Sequence, residues 1–109
     1  MEMTHTYNIL KLIQLERGRQ ETLKQTGKFQ FTCADPISDW KKLPILLEEV
    51  GEVAKAMNED DSIGIAKELI QVAAVCVAWL ESSTNENIQK LLYEAIENAV
   101  GKLKEKETK

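Results

Sequence analysis

A chain of 109 residues, 43% hydrophobic and 29% charged, has the size and balance of one globular domain; fibrous, low-complexity and multidomain organisations are excluded. Such a chain buries roughly 65% of its unfolded surface, so its core is modest and leftover apolar faces are expected to close against further copies. The net charge of −4 argues against a nucleic-acid polymer as the main partner, which would require clustered Lys and Arg, but not against nucleotides, because a bound cation reconciles an acidic site with phosphates.

The first helix is predicted from about residue 6 to 26, with Ile9, Leu10, Ile13 and Leu23 near one stripe and Gly27 as a C-terminal stop. Residues 28–38, KFQFTCADPIS, read as a loop in which Phe29 and Phe31 are anchors. The second helix is predicted over residues 39–58, capped by Ser38 or Asp39, with Leu43, Leu46, Leu47, Val50, Ala54 and Met57 recurring at three- and four-residue steps as one apolar face. Pro44 fits only in or near a first turn, which suggests that regular helix starts there. Asn58-Glu59-Asp60-Asp61 is a polar break before a third helix over about 61–82. From Leu69 to Leu80 that helix is apolar on every side except at Gln71, so it is expected to be buried all round, with Trp79 in a core or interface. Ser83-Thr84-Asn85-Glu86 has the capping-box spacing, and Ile88, Leu91, Leu92, Ala95, Ile96, Ala99 and Leu103 give the fourth helix a clean stripe. The tail from Lys102 is expected to fray. The fold class that follows is all-α, a bundle of four main helices in a single domain over 1–109.

Cys33 and Cys76 make no disulfide framework, Cys76 reads as a buried hydrophobe, and a reducing, cytoplasmic setting is expected. The N-terminal stretch lacks the continuous apolar core of a signal peptide. The longest apolar run, Val72 to Leu80, falls short of the ~20 residues that cross a bilayer, so no membrane partner is expected.

The acidic residues carry the chemistry. Glu49 and Glu52 stand at i, i+3 and Glu48 and Glu52 at i, i+4, on a side of the second helix shared with Ile45 and Ala56 and away from the leucine stripe. On the third helix Glu68 and Gln71 repeat the i, i+3 spacing where the apolar run begins. Two such pairs facing each other supply hard oxygen ligands of the kind that suit Mg²⁺ or Mn²⁺, which keep waters and accept phosphate oxygens. Read without function, the same acids are a solvated helix face and Gln71 is a polar group bonded to a neighbouring helix.

LLEEVGEVAKAM followed by KELIQVAAVCVAWLE resembles the MazG-like, all-α nucleoside triphosphate pyrophosphohydrolase superfamily, whose pattern is E-E-x-x-E on one helix and E-x-x-D on the next. ERGRQETLKQTGKFQ and the approach from Trp40 to Leu43 are similar to its small phage- and prophage-associated members, and the likeness spans about residues 14–103. The resemblance implies Glu49, Glu52, Glu68 and Gln71 as metal ligands, Glu48 as the base that activates water, Mg²⁺ (or Mn²⁺) as cofactor and a nucleoside triphosphate as substrate; the third helix, apolar all round, predicts a homodimer or dimer of dimers. Gln71 departs from the pattern's Asp and offers a neutral carbonyl oxygen in place of a charged one. It therefore favours, as the alternative, a catalytically degenerate module that binds nucleotides or protein; a purely structural helical module is a further one. Candidate substrate-binding residues are Gln20 near a phosphate or base, Trp40 for stacking, and Asn98 and Lys102, at i, i+4 on the fourth helix, for the triphosphate tail. Arg17 and Arg19 read singly as solvated helix surface.

Overall fold

The computed structural model describes residues 3–107, and these are all-helical: α1 Thr4–Gln25, α2 Asp39–Asn58, α3 Ser62–Ser83 and α4 Glu86–Glu107. Each boundary has a local cause. At the end of α1, Gly27 takes φ +84° while Lys28 N–H donates to the Leu23 carbonyl (2.9 Å) and Gly27 N–H to that of Lys24 (3.1 Å). These two bonds close a Schellman turn, whose left-handed position suits glycine. The end of α2 repeats the turn with Asp60 in the left-handed position at φ +53°; Asp61 N–H reaches the Ala56 carbonyl (3.0 Å) and Asp60 N–H that of Met57 (3.2 Å). Asp61 then caps α3, its Oδ1 accepting from Gly64 N–H at 2.9 Å.

Two boundary expectations are corrected. Regular helix begins at Asp39, five residues before Pro44; the Trp40 carbonyl, which would have accepted from residue 44, belongs to a solvent-exposed residue that water can serve. The capping box does not form, because α3 runs on through Ser83. Thr84 Oγ1 instead donates back to the Leu80 carbonyl (2.7 Å), and Asn85 Oδ1 caps α4 by accepting from Ile88 N–H (3.0 Å). The predicted fraying from Lys102 is absent as far as Glu107; the last two residues lie outside the described ones.

α3 is the axis of the structure. α1 and α2 each pack along it, and α4 packs against none of the other three. The small core is Cys33, Val75 and Ala78, with Ala34, Ile45, Leu46 and Trp79 against it. Trp79 Nε1 donates to Asp39 Oδ1 at 2.8 Å, fixing the start of α2 to the end of α3. Arg17, buried on α1, clamps the same end of α3: Nε and Nη2 donate to the Glu81 oxygens at 3.1 and 2.9 Å, and Nη2 also to Glu21. Lys42 is almost fully buried and donates to Ser82 Oγ, which in turn bonds the Cys33 and Trp79 carbonyls at 3.0 and 2.9 Å.

Helical periodicity is right about the faces and wrong about which of them turns inward. The predicted α2 stripe is split: Leu47, Val50, Ala54 and Met57 face solvent, while Leu43 and Leu46 are half-buried along with Ile45 and Glu49, and Lys42 and Ala56 are buried. On α1, Ile9 and Leu10 are exposed and Arg17 and Gln20 buried, against the expectation of a solvated polar surface. α3 buries Ala74, Val75 and Ala78 and leaves Leu69, Val77 and Leu80 exposed, so it is not enclosed all round. Cys33, not Cys76, is the buried thiol. By length and apolarity α3 is also the one described helix that could cross a bilayer, although it carries Lys67 and Glu68.

Candidate functional site

The inward polar faces of α1, α2 and α3 meet at a cavity of about 400 Å³, closed on the remaining side by the loop after α1. That volume lies in the range of small-molecule sites. Ile45, Glu48 and Glu49 reach it from α2, within one turn on one side of the helix. Gln71 and Val75 reach it from α3, also at i, i+4. Glu16, Arg19 and Gln20 come from α1, and Phe29, Phe31 and Lys28 from the loop.

The closest meeting of polar groups lies between α2 and α3. A terminal atom of the Gln71 amide sits 2.8 Å from Glu68 Oε2 and 3.0 Å from Glu49 Oε2. With nitrogen at that position, the amide donates to both carboxylates and joins the two helices. With oxygen there, it lies 2.8 and 3.0 Å from the two carboxylate oxygens, each the spacing of neighbouring ligands around an octahedral Mg²⁺, about 3 Å for bonds of 2.0–2.1 Å. Both orientations use the same three side chains; without a cation, only the nitrogen there gives the two carboxylates a donor.

Charge crowds this seam. The Glu49 carboxyl is held above the ordinary carboxylate range, first by burial and then by the negative charges of Glu68, Glu48, Glu52 and Glu16. The counter-charge comes from Arg19, whose Nε and Nη2 donate to Glu16 at 2.7 and 2.9 Å and whose guanidinium also feels Glu49. Glu48 lies on the cavity wall and is exposed.

The structure thus brings together Glu48, Glu49, Glu68, Gln71 and Gln20 of the residues singled out in the sequence. Glu52 is exposed and off the cavity wall, close enough to be felt by Glu49 as a charge; among the described residues no three of His, Cys, Asp and Glu converge as a metal-binding group. Trp40 is 82% exposed and outside the cavity, neither packing the loop nor facing the acids. Asn98 and Lys102 stand on the exposed α4, away from the cavity in the same chain. Phe29 and Phe31 are not buried anchors: both remain over a third exposed and offer their rings to the cavity. Lys28 was missed in the sequence; its only signal was its place directly after the Gly27 turn, which carries it back toward α1. Comparison of the chain with protein-family models, curated proteins and solved structures gives no match.

Proposed function

We propose that this chain is a divalent-metal-dependent hydrolase of nucleoside triphosphates that gives a nucleoside monophosphate and pyrophosphate. The observation that carries the reading is the Gln71 amide lying 2.8 Å from a Glu68 oxygen and 3.0 Å from a Glu49 oxygen, with Gln71 and Glu49 on the wall of a ligand-sized cavity. These three would hold Mg²⁺ (or Mn²⁺), with Glu52 adding charge from outside; the ion would neutralise and orient phosphate oxygens. Glu48 takes a proton from water as the water oxygen bonds to phosphorus, and the bridging oxygen leaves with pyrophosphate. Arg19 and Lys28 on the same wall attract the polyphosphate and fix its direction.

We also propose that the working unit is a homo-oligomer, a dimer or dimer of dimers. From residue 86 to 106 every residue of α4 is exposed, including Ile88, Leu91, Leu92, Ile96 and Leu103. The outward apolar faces of α1 and α2 add to this, and the Cα radius of gyration is 16.8 Å where a compact chain of this length has about 13 Å. A single helix of this length gains little stability in water without packing, so its stripe is expected to be covered. An internal, cytoplasmic setting fits a nucleotide substrate and two unpaired thiols.

A second reading rests on the same amide. If Gln71 permanently donates to both carboxylates, the seam is a satisfied cross-link and the chain a catalytically silent binding module. Two measurements separate the readings. Mg²⁺ or Mn²⁺ raises the melting temperature of a metal site and leaves the cross-link unchanged. Pyrophosphate release over a panel of ribo- and deoxyribonucleoside triphosphates, with Glu48→Gln as the control that binds without turnover, tests the reaction. No release from any nucleotide in the presence of either ion would remove the hydrolase reading.

A further inference from the structure

Gln20 is 92% buried by its 8% residual exposure, yet its side-chain amide forms no hydrogen bond with any described residue. Its place on the cavity wall accounts for both facts, because the amide atoms open into the cavity and not into packed protein. An amide that faces an open cavity is served by water there, and a ligand with the matching groups takes that water's place. The amide presents one acceptor and one NH₂ donor side by side. The same cavity is lined by Phe29 and Phe31, each over a third exposed, by apolar Ile45 and Val75, and by the acids Glu16, Glu48 and Glu49.

We propose that Gln20 reads the base of the bound nucleotide, pairing its amide with a base edge that carries a hydrogen-bond donor and acceptor next to each other, while Phe29 or Phe31 stacks on the ring. The proposal rests on the nucleotide-site reading and deepens it from a polyphosphate to a base-selective substrate. Flat aromatic ligands gain from stacking on a phenyl face whatever their sequence of ring atoms, so the aromatics supply affinity. The choice among bases falls to the one amide, as bidentate Gln does when it reads adenine. The unit of recognition is a mononucleotide, because the wall continues into carboxylates, which repel a phosphodiester backbone.

The test is equilibrium titration of the full chain, with Mg²⁺, against the 5′-monophosphates of uridine, cytidine, adenosine and guanosine. The tightest binder is then compared with its uncharged counterpart methylated on the pairing edge: 3-methyluridine, N4,N4-dimethylcytidine, N6,N6-dimethyladenosine or 1-methylguanosine monophosphate. Edge methylation is expected to weaken binding roughly 5- to 150-fold, the range of one bidentate amide pair. Gln20→Met, equal in length and apolar, is expected to weaken the unmodified nucleotide by a similar factor and to level the preference among bases. Equal binding of methylated and unmodified nucleotides, or of all four bases to the wild type, overturns the proposal, as does the absence of any monophosphate binding. Should Gln20→Met fail to fold by circular dichroism, the methylated pair on the wild type decides alone. A wild type that binds by edge but releases no pyrophosphate from triphosphates removes the hydrolase reading and keeps this one. One that hydrolyses all triphosphates and inorganic tripolyphosphate alike does the reverse.

Discussion

Replacing Gln71 by Leu deletes the amide that stands between two carboxylates and keeps a helix-compatible apolar body of similar size. In the metal-free protein two hydrogen bonds to Glu68 and Glu49 disappear. Bonds to charged groups contribute roughly 1.5–3 kcal/mol each, and because both acids are only half-buried the lower end applies. The unshielded carboxylate oxygens, each within 3.0 Å of the lost amide atom and so no more than about 6 Å apart, then repel by about 1–3 kcal/mol at an effective dielectric of 20–40. Some of this is relieved by side-chain movement, so the net loss is about 3 kcal/mol, or roughly 10–20 °C in melting temperature. The assay is thermal unfolding at neutral pH without metal, repeated at falling pH. Glu49 already titrates above the ordinary range, raised by burial and then by Glu68, Glu48, Glu52 and Glu16. An acid with a raised folded pKa destabilises the fold when ionised; that penalty is full above the folded pKa and vanishes as pH falls below the unfolded value. Acidification should therefore return more stability to Gln71→Leu than to the wild type, and Glu49→Gln in the Leu background should abolish the difference. A loss below about 1 kcal/mol, or one that does not change with pH, would show that the three side chains do not share a seam.

Three further outcomes are expected. Arg17→Ala, which cuts the two bonds to Glu81 and the one to Glu21, should cost about 2 kcal/mol in denaturant unfolding, between surface and buried ion-pair values; no change would mean that α1 is held to α3 by its apolar contacts alone. Asp60→Gly should raise stability by up to about 1 kcal/mol, because the residue occupies a left-handed turn at φ +53°, and an unchanged or lower melting temperature would refute that cause. Ile96→Glu on the exposed face of α4 should convert the oligomer into a smaller species by light scattering and make stability independent of protein concentration; a wild type already monomeric at micromolar concentration, or an unchanged assembly in the variant, would dismiss α4 as an interface.

The all-helical class and the helix ends were legible because they are local. Gly27 stops α1 and Asp61 starts α3 through bonds within a few residues of themselves, and a heptad-like stripe identifies a helix whichever way it faces. The i, i+3 spacings likewise placed Glu49 beside Glu52 and Glu68 beside Gln71, a matter of helix pitch alone. Orientation was not local. The leucine stripe of α2 looked like the buried face, yet the packed helix has Ile45 and Glu49 inward and Leu47 and Val50 outward. Only that rotation puts Glu49 against Glu68, leaves Glu52 at the rim, and encloses Arg17 and Gln20, which read singly as solvated. The physical reason is that periodicity reports how apolar each face is, whereas the packing of three helices decides which face meets which neighbour.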